Sequence, residues 1–224
     1  MRSPPPSISS NFDLPCHYDT IHPGRLEIHN GIWYYPFLVS GHPIDYPSLW
    51  NIILALPSHL SPHSIHGPDH WRRVERNGLL LATRTGAIVP VVRLFALFHD
   101  SRRENDCIDP EHGARGAALA ASMHAIHFDL PDAHFDLLHE ACTWHTDGHH
   151  HKDPTIGTCW DADRLDLGRV GMIPDPQYMS TGFAREIAAH GSIRPWLHLV
   201  DEGMTPENTS LPPIPTHPDA PTPG

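Results

Sequence analysis

The chain has 224 residues, 39% of them apolar and 18% charged, a composition typical of a globular domain with a core of its own. Its formal net charge of −11 argues against a broad nucleic-acid-binding surface, because contacts to phosphates need clustered Lys and Arg. The 21 histidines outnumber the 15 Lys plus Arg residues, which raises the expectation of a metal site.

The cysteines and the hydropathy pattern predict the cellular compartment of the protein. The four cysteines show no CxxC spacing, and no segment with the order of an export signal precedes them. Reduced thiols in a cytoplasmic protein are therefore expected. No apolar run approaches the roughly 20 residues that a membrane span needs, so no membrane segment is predicted.

The two ends of the chain differ in composition from the rest. Residues 1–10 and 206–224 are rich in Pro and Ser or Thr and are predicted to be disordered. Residues 11–45 form an irregular N-terminal appendage. Within it, two short strands flank Asn30-Gly31, a dipeptide typical of a β-hairpin turn.

Residues 46–205 are predicted to form a helical bundle, beginning with three helices. The first covers residues 46–55 and carries apolar side chains along one face. The second begins near Pro68, since proline suits the first turn of a helix. The third covers residues 88–99 and is apolar over most of its surface.

Further helices follow at shorter intervals. Asp109 as the cap and Pro110 as the first helical residue are expected to start the fourth helix. Pro131 opens the fifth, and the sixth is expected from about Thr158. Two shorter helices are predicted for residues 184–190 and 196–202. About seven helices with one hairpin predict an all-α bundle with a small β decoration.

The third helix runs directly into His99-Asp100. An imidazole and a carboxylate at the inner end of a buried helix need a partner, and a metal ion is the simplest partner for both. His70 and Asp163 lie in similar settings and complete a set of nitrogen and oxygen donors that suits Mn, Fe, Co, Ni or Zn. The lack of a thiolate favours an open catalytic site over a closed structural one.

These residues resemble the motifs of the HD-domain metal-dependent phosphohydrolase superfamily. The resemblance consists of His70 in HWRRV, His99-Asp100 in LFHD and Asp163 in DADRL, in that order over about residues 66–170. It implies an HD-domain helical bundle. It also implies hydrolysis of a small phosphorylated compound, with a nucleotide as the favoured class, by water that a metal activates.

Two more histidines resemble elements of the family members that hold two metals. They are His112 in EHGARGA and His145 in CTWHTDG, and with them Asp100 would bridge two ions. Whether one or two ions bind is left open. For each of the two histidines the sequence leaves three roles open: metal ligand, general acid or ordinary surface residue. His124 or His127 is the alternative to His112.

The charged run after His99-Asp100 supplies the candidate substrate contacts. Arg102 and Arg103 could hold a substrate phosphate, and Glu104 could position or deprotonate the attacking water. A solvated charge run is the alternative for all three residues. For the metal ligands, His66 competes with His70, and Asp161 competes with Asp163.

Two other functions share the predicted ligands. An HD-type di-iron oxygenase would use the same six residues to hold two irons, and ligand type does not separate it from a hydrolase. A sensor that binds metal or nucleotide without turnover is the third possibility. The oligomeric state is left open by the sequence.

Overall fold

The computed structural model describes residues 43–61 and 63–201, and in the N-terminal part residues 27–29 and 32–34. The chain divides into two compact units, Met1–Ser40 and Gly41–Gly224. Of the residues described, no helix combines the length and the apolar character that crossing a membrane requires.

The first unit contains two short strands. Strand β1 (Glu27–His29) pairs with strand β2 (Ile32–Tyr34) in antiparallel register, with Ile28 opposite Trp33. The predicted turn at Asn30-Gly31 and the predicted disordered ends, residues 1–10 and 206–224, lie outside the described residues. They stay predictions.

The second unit is helical over its described residues, which confirms the predicted all-α character of the bundle. Its α-helices are α1 (Tyr46–Leu54), α2 (Pro68–Thr85), α3 (Val89–Phe98), α4 (His112–Met123), α5 (Asp132–Trp144), α6 (Pro154–Arg164), α7 (Gly182–His190) and α8 (His198–Asp201). Short 3-10 turns lie at Leu167–Val170, Pro176–Tyr178 and Arg194–Trp196. The last predicted helix is thus divided, with a 3-10 turn ahead of α8.

Helix α6 begins four residues before the predicted start at Thr158. The Asp153 carboxylate accepts hydrogen bonds from the backbone N–H groups of Thr155 (2.8 Å) and Ile156 (3.2 Å). Pro154 follows at the first helical position, where its missing N–H costs nothing. An Asp-Pro start signal was therefore present in the sequence and was missed.

Helix α4 begins later than predicted, at His112, and Asp109 does not cap it. The Asp109 carboxylate instead accepts the backbone N–H of Glu104 at 2.8 Å and pairs with Arg115 Nη2 at 2.6 Å. Because the Arg115 guanidinium competes for this carboxylate, Asp109 closes the preceding loop and leaves the helix N-terminus without a side-chain cap.

Helix α3 lies at the centre of the second unit, with α2, α4, α5 and α6 packed around it. Its buried side chains include Leu94, Phe95, Leu97 and Phe98, each without exposed area. Burial on all sides explains the near-continuous apolar sequence of this helix. The residues that follow Phe98 are therefore delivered into the interior of the bundle.

Candidate metal centre

His99 is the C-terminal cap of α3, and its side chain has no exposed area. Its Nδ1 lies 3.1 Å from the carbonyl oxygens of both Phe95 and Ala96. Because a carbonyl only accepts, Nδ1 carries the proton and donates to the preceding turn of the helix. The second ring nitrogen, Nε2, is left facing away from the helix with a free lone pair.

Two further buried histidines are held in the same way. His112 Nδ1 donates to the backbone carbonyl of Asp109, and His145 Nδ1 donates to that of Cys142 at 2.8 Å. A metal-binding histidine commonly donates its other N–H to a carbonyl or carboxylate, which fixes the tautomer and the ring plane. Both rings therefore present Nε2 as the available ligand atom.

His70, on the first turn of α2, is held by a carboxylate. Its Nδ1 lies 2.7 Å from Asp166 Oδ2, and Arg73 Nε donates to the other oxygen of Asp166 at 2.7 Å. Sequence reasoning missed Asp166. The available signal was the acidic run DADRLD, in which Asp166 follows the predicted ligand Asp163 by three residues.

The four Nε2 atoms converge as two pairs. In the first pair, His70 Nε2 lies 3.2 Å from His99 Nε2, and in the second, His112 Nε2 lies 2.9 Å from His145 Nε2. Two neutral rings with protonated Nδ1 atoms would turn lone pairs toward each other. Each pair therefore needs a cation, either a proton or a metal ion, between its nitrogens.

The Asp100 carboxylate, 2% exposed, faces both pairs. Its Oδ2 lies 3.5 Å from His70 Nε2 and 3.7 Å from His99 Nε2. Its Oδ1 lies 3.2 Å from His112 Nε2 and 3.6 Å from His145 Nε2. One carboxylate thus offers a different oxygen to each pair.

Asp163 adds a second carboxylate to the first pair, with Oδ1 at 3.2 Å from His70 Nε2. The alternative residue, Asp161, is directed elsewhere on α6. Its two oxygens accept the backbone N–H groups of Ser180 and Thr181, at 2.7 Å each. Of the two residues, Asp163 is therefore the one placed among the imidazoles, while Asp161 anchors the segment that leads into α7.

Three groups of donors lie close enough to hold a metal ion, with the ligand atoms of each group within 4.8 Å of one another. The third group brings in His66, whose Nδ1 lies 2.8 Å from Asp100 Oδ2 and whose side chain is 16% exposed. The groups are His70, His99 and Asp163; Asp100, His112 and His145; and His66, His70 and Asp100. Buried His and Asp side chains of this protein could thus hold a metal ion.

The alternatives to His112 lie outside these groups. His124 Nε2 lies 3.0 Å from the carbonyl oxygen of Leu130, and His127 is exposed. His112, in contrast, is 2% exposed. The structure therefore places His112, and neither alternative, next to Asp100.

Arg103 is the part of the charged run that reaches this cluster. It is 8% exposed, and its Nη1 lies 3.5 Å from Asp100 Oδ1 and 3.1 Å from His112 Nε2. The guanidinium thus lies against His112 of the second pair and against the Asp100 oxygen that faces this pair. A buried cation at this place offsets part of the charge of Asp100.

Arg102 and Glu104 make their contacts away from the paired imidazoles. Arg102 Nη1 donates to the carbonyl oxygen of Pro57 at 3.0 Å. The Glu104 carboxylate, 59% exposed, lies 3.8 Å from Arg115 Nε. Both residues line a surface pocket together with Arg103 and Arg115. The charged run is therefore split between the cluster and the pocket beside it.

Burial and hydrogen bonding set the charge of the first pair. Burial lowers the pKa of His99 to about 3, so this ring is neutral near neutral pH. Burial acts to lower the pKa of His70 as well, but the hydrogen bonds with Asp163 and Asp166 outweigh it and raise that pKa above its usual value. When the metal-free first pair carries a proton on Nε2, that proton is therefore on His70 rather than on His99.

A raised pKa also marks His145 in the second pair. Burial acts to lower this pKa, but the hydrogen bond and the charge of Asp100 outweigh it. For Asp100, burial acts to raise the pKa, whereas the imidazoles of His99, His112, His145 and His66 hold it well below its usual range. When no metal is bound, a proton on one ring of each pair thus takes the place of the metal ion.

Two glycines of α4 allow the close packing that brings the second pair together. A methyl group at Gly113 would lie 2.5 Å from the carbonyl oxygen of Cys142, the atom that accepts from His145 Nδ1. A methyl group at Gly116 would overlap the carbonyl oxygen of Phe98. Helix α4 therefore rests directly on the backbone of α5 and α3 beside the ligands.

A scan against models of protein families found no match, and searches of curated proteins and of solved structures found none either. The HD-domain resemblance therefore rests on the residues and their order alone.

Proposed function

We propose that this chain is a metal-dependent hydrolase of a small phosphorylated compound, with a nucleotide as the favoured class, and that it resembles the HD-domain phosphohydrolases in its site. One observation carries the proposal. Two pairs of imidazole Nε2 atoms, 3.2 Å and 2.9 Å apart, face the two oxygens of the buried Asp100 carboxylate. Such an arrangement is costly unless cations occupy it.

The proposed centre holds one or two divalent ions of Mn, Fe, Co, Ni or Zn. The first position has four protein donors and the second has three, which leaves sites open to water and substrate, as in catalytic centres. The donors are His70, His99, Asp163 and Asp100 Oδ2 for the first position, and His112, His145 and Asp100 Oδ1 for the second.

The remaining chemistry belongs to residues at the edge of the centre. A bound ion would supply Lewis acidity and offset charge on phosphoryl oxygens. Arg102 and Arg103 line the adjoining pocket with Arg115, and guanidinium groups match a phosphate bidentately. Glu104, exposed at the same pocket, is the proposed residue for orienting or deprotonating water.

The test measures metal content and phosphate release together. Wild-type protein loaded with each candidate metal is expected to release phosphate from at least one member of a panel of nucleotides and generic phosphoesters. Asp100→Ala is expected to lose bound metal and activity together, because this carboxylate serves both positions. His139→Ala is the matched control, since His139 is an exposed histidine on α5. Stoichiometric metal retained by Asp100→Ala would refute the ligand assignment.

A di-iron oxygenase is the second candidate, because four imidazoles and two carboxylates, one of them the shared Asp100, suit a pair of irons equally well. Anaerobic loading with iron, followed by measurement of O₂ uptake with candidate substrates, separates the two. Phosphate release without O₂ uptake removes the oxygenase. O₂ uptake without phosphate release removes the hydrolase.

A sensor without turnover is distinguished by binding alone. It predicts no phosphate release with any metal, together with a change in nucleotide affinity when His99→Ala disturbs the centre. Phosphate release by the wild-type chain would exclude this function.

A further inference from the structure

A positively charged side chain of the protein, the Arg103 guanidinium, lies next to the second imidazole pair. Arg103 Nη1 lies 3.1 Å from His112 Nε2 and 3.5 Å from Asp100 Oδ1. These two atoms are also donors for an ion at the second position. Arg103 Nη1 also lies 3.4 Å from His112 Nδ1, so the guanidinium lies over the face of this ring. Because like charges repel strongly at a buried site, a divalent ion bound by His112 Nε2 and Asp100 Oδ1 would be opposed by the guanidinium beside them.

The first pair is arranged differently. The contacts of His70 run to the carboxylates of Asp163 and Asp166, at 3.2 Å and 2.7 Å. The nearby Arg73 donates to the other oxygen of Asp166. An ion bound by His70, His99 and Asp163 would therefore meet negative charge and displace only a proton.

Hydrogen bonds to backbone carbonyls hold the Arg103 side chain beside the second pair and at the surface pocket. Its Nη2 donates to the carbonyl oxygen of Cys107 at 2.8 Å, and its Nε lies 3.3 Å from that of Asn105. Both carbonyls belong to the exposed segment that follows the His-Asp pair. Arg103 also lines the surface pocket next to Arg102 and Arg115. Arg103 thus contacts the second pair and also contributes to the lining of the pocket.

We propose that Arg103 controls occupancy of the second ion position, because its positive guanidinium lies against His112 Nε2 and Asp100 Oδ1, the atoms that a divalent ion there would use, and repels that ion. This inference rests on the proposed metal centre. The first position fills independently of Arg103, and the second fills only as the guanidinium withdraws toward the pocket. The two positions therefore load in a fixed order, and Arg103 sets the concentration of metal at which the second ion enters.

The test is a titration of metal-free protein with Mn²⁺, monitored by calorimetry. Electron paramagnetic resonance distinguishes free Mn²⁺ from two Mn²⁺ ions bound side by side. For the wild-type chain we expect one tight ion and a second at least about tenfold weaker. Arg103→Met keeps an unbranched apolar stem but removes the guanidinium with its charge and its N–H donors. It is expected to tighten the second ion by about tenfold or more, to leave the first unchanged, and to show the paired signal at lower Mn²⁺.

Arg102→Met is the matched control. It removes one positive charge from the same segment, but Arg102 donates to Pro57 rather than to the second pair. Its second-ion affinity is expected to stay close to that of the wild type. An equal tightening in Arg102→Met would mean that net charge alone is responsible and would overturn the proposal. Circular dichroism checks that each variant is folded, and Arg103→Gln serves as a second neutral variant with the same expected result.

The outcomes separate this inference from the proposed function. A second-ion affinity that is unchanged or weaker in both neutral Arg103 variants overturns the role of Arg103 and leaves the metal centre standing. Wild type and variants that all bind a single ion overturn it as well. A wild-type chain that binds no ion contradicts the proposed function itself.

Discussion

The orientation of each imidazole at the centre is fixed through the ring nitrogen that faces away from it. For His99, His112 and His145 the partner is a backbone carbonyl, whereas for His70 it is the carboxylate of Asp166. A carbonyl cannot be removed by mutation, but a carboxylate can. His70 is therefore the imidazole whose ring orientation depends on a side chain.

Removing the Asp166 carboxylate should weaken the binding of the first ion without unfolding the bundle. Asp166→Ala is expected to lower the affinity of the first ion by about 10- to 100-fold, the usual effect of losing an outer partner of a metal-bound histidine. Asp166→Asn is expected to restore part of the affinity, because its side-chain oxygen can still accept from His70 Nδ1. Metal titration measures both. An equal loss of first-ion affinity in the two variants would show that the hydrogen bond accepted from His70 Nδ1 is not what supports metal binding.

Protons and metal should compete for the paired nitrogens. The pKa values of His70 and His145 are raised, so these rings keep a proton to higher pH than an ordinary histidine and must release it when an ion binds. Metal affinity is therefore expected to fall as the pH falls from about 8 to about 6. Calorimetry in buffers of different ionisation enthalpy measures the released protons. An affinity that stays constant over this range, with no proton release, would contradict the assignment.

At the scale of the elements, the ligands gather because helices start or end at the same place. His70 and His112 lie in the first turns of α2 and α4, and His99 and His145 directly follow α3 and α5. Helix α6 brings Asp163 near its C-terminal end. The approach of α4 to α5 is close enough that only glycine fits at position 113.

Gly113→Ala should therefore damage the second pair selectively. The added methyl group would collide with the carbonyl oxygen of Cys142, and relief requires α4 to move away from α5. A loss of about 1–3 kcal/mol in the free energy of unfolding is expected, as for other overpacked sites, together with weaker binding of the second ion. Denaturant unfolding and metal titration are the measurements.

Gly182 provides the matched control for that experiment. It lies at the first position of α7, and a methyl group there would meet no atom within 4 Å. Gly182→Ala is expected to leave both ions unchanged and to keep or slightly raise stability. A normal second-ion affinity in Gly113→Ala would show that the close contact is not needed for the site.

For the molecule as a whole, the sequence was informative wherever the signal was local. The apolar run ahead of His99-Asp100 identified a buried helix that ends in polar groups, and the structure has this helix at its centre. Residue order also selected His70 and Asp163, which the structure brings within reach of His99. These inferences needed only helical periodicity and the cost of burying unpartnered polar groups.

Other features depended on contacts that no local pattern encodes. Arg102 and Arg103 are adjacent in the sequence, yet only the path of the loop decides which of them lies against Asp100. The role of Asp166 depends on His70, which lies 96 residues away in the chain. The wrong start of α4 has the same origin, since Asp109 is engaged by Arg115 rather than by the helix N-terminus.

Metal binding should stabilise the whole bundle while its removal leaves the fold in place. Because the core around α3 is extensive and apolar, we expect a chelator to lower the melting temperature without loss of helical circular dichroism. Adding metal back should raise the melting temperature in proportion to the logarithm of its concentration in excess of Kd. Loss of the helical signal on chelation at room temperature would show that the metal is needed for folding.

The hydrogen bonds that orient the imidazoles also predict an order of events during folding. Those of His99, His112 and His145 span only three or four residues of the chain, so they form as soon as the local turn forms. The bond from His70 to Asp166 spans 96 residues and has to wait until α2 and α6 have docked, since distant contacts close late. Among folding chains, the first ion position would then be the last part of the site to appear. Metal capture during rapid-mixing refolding measures this order, and capture at the first position before α2 and α6 have docked would contradict it.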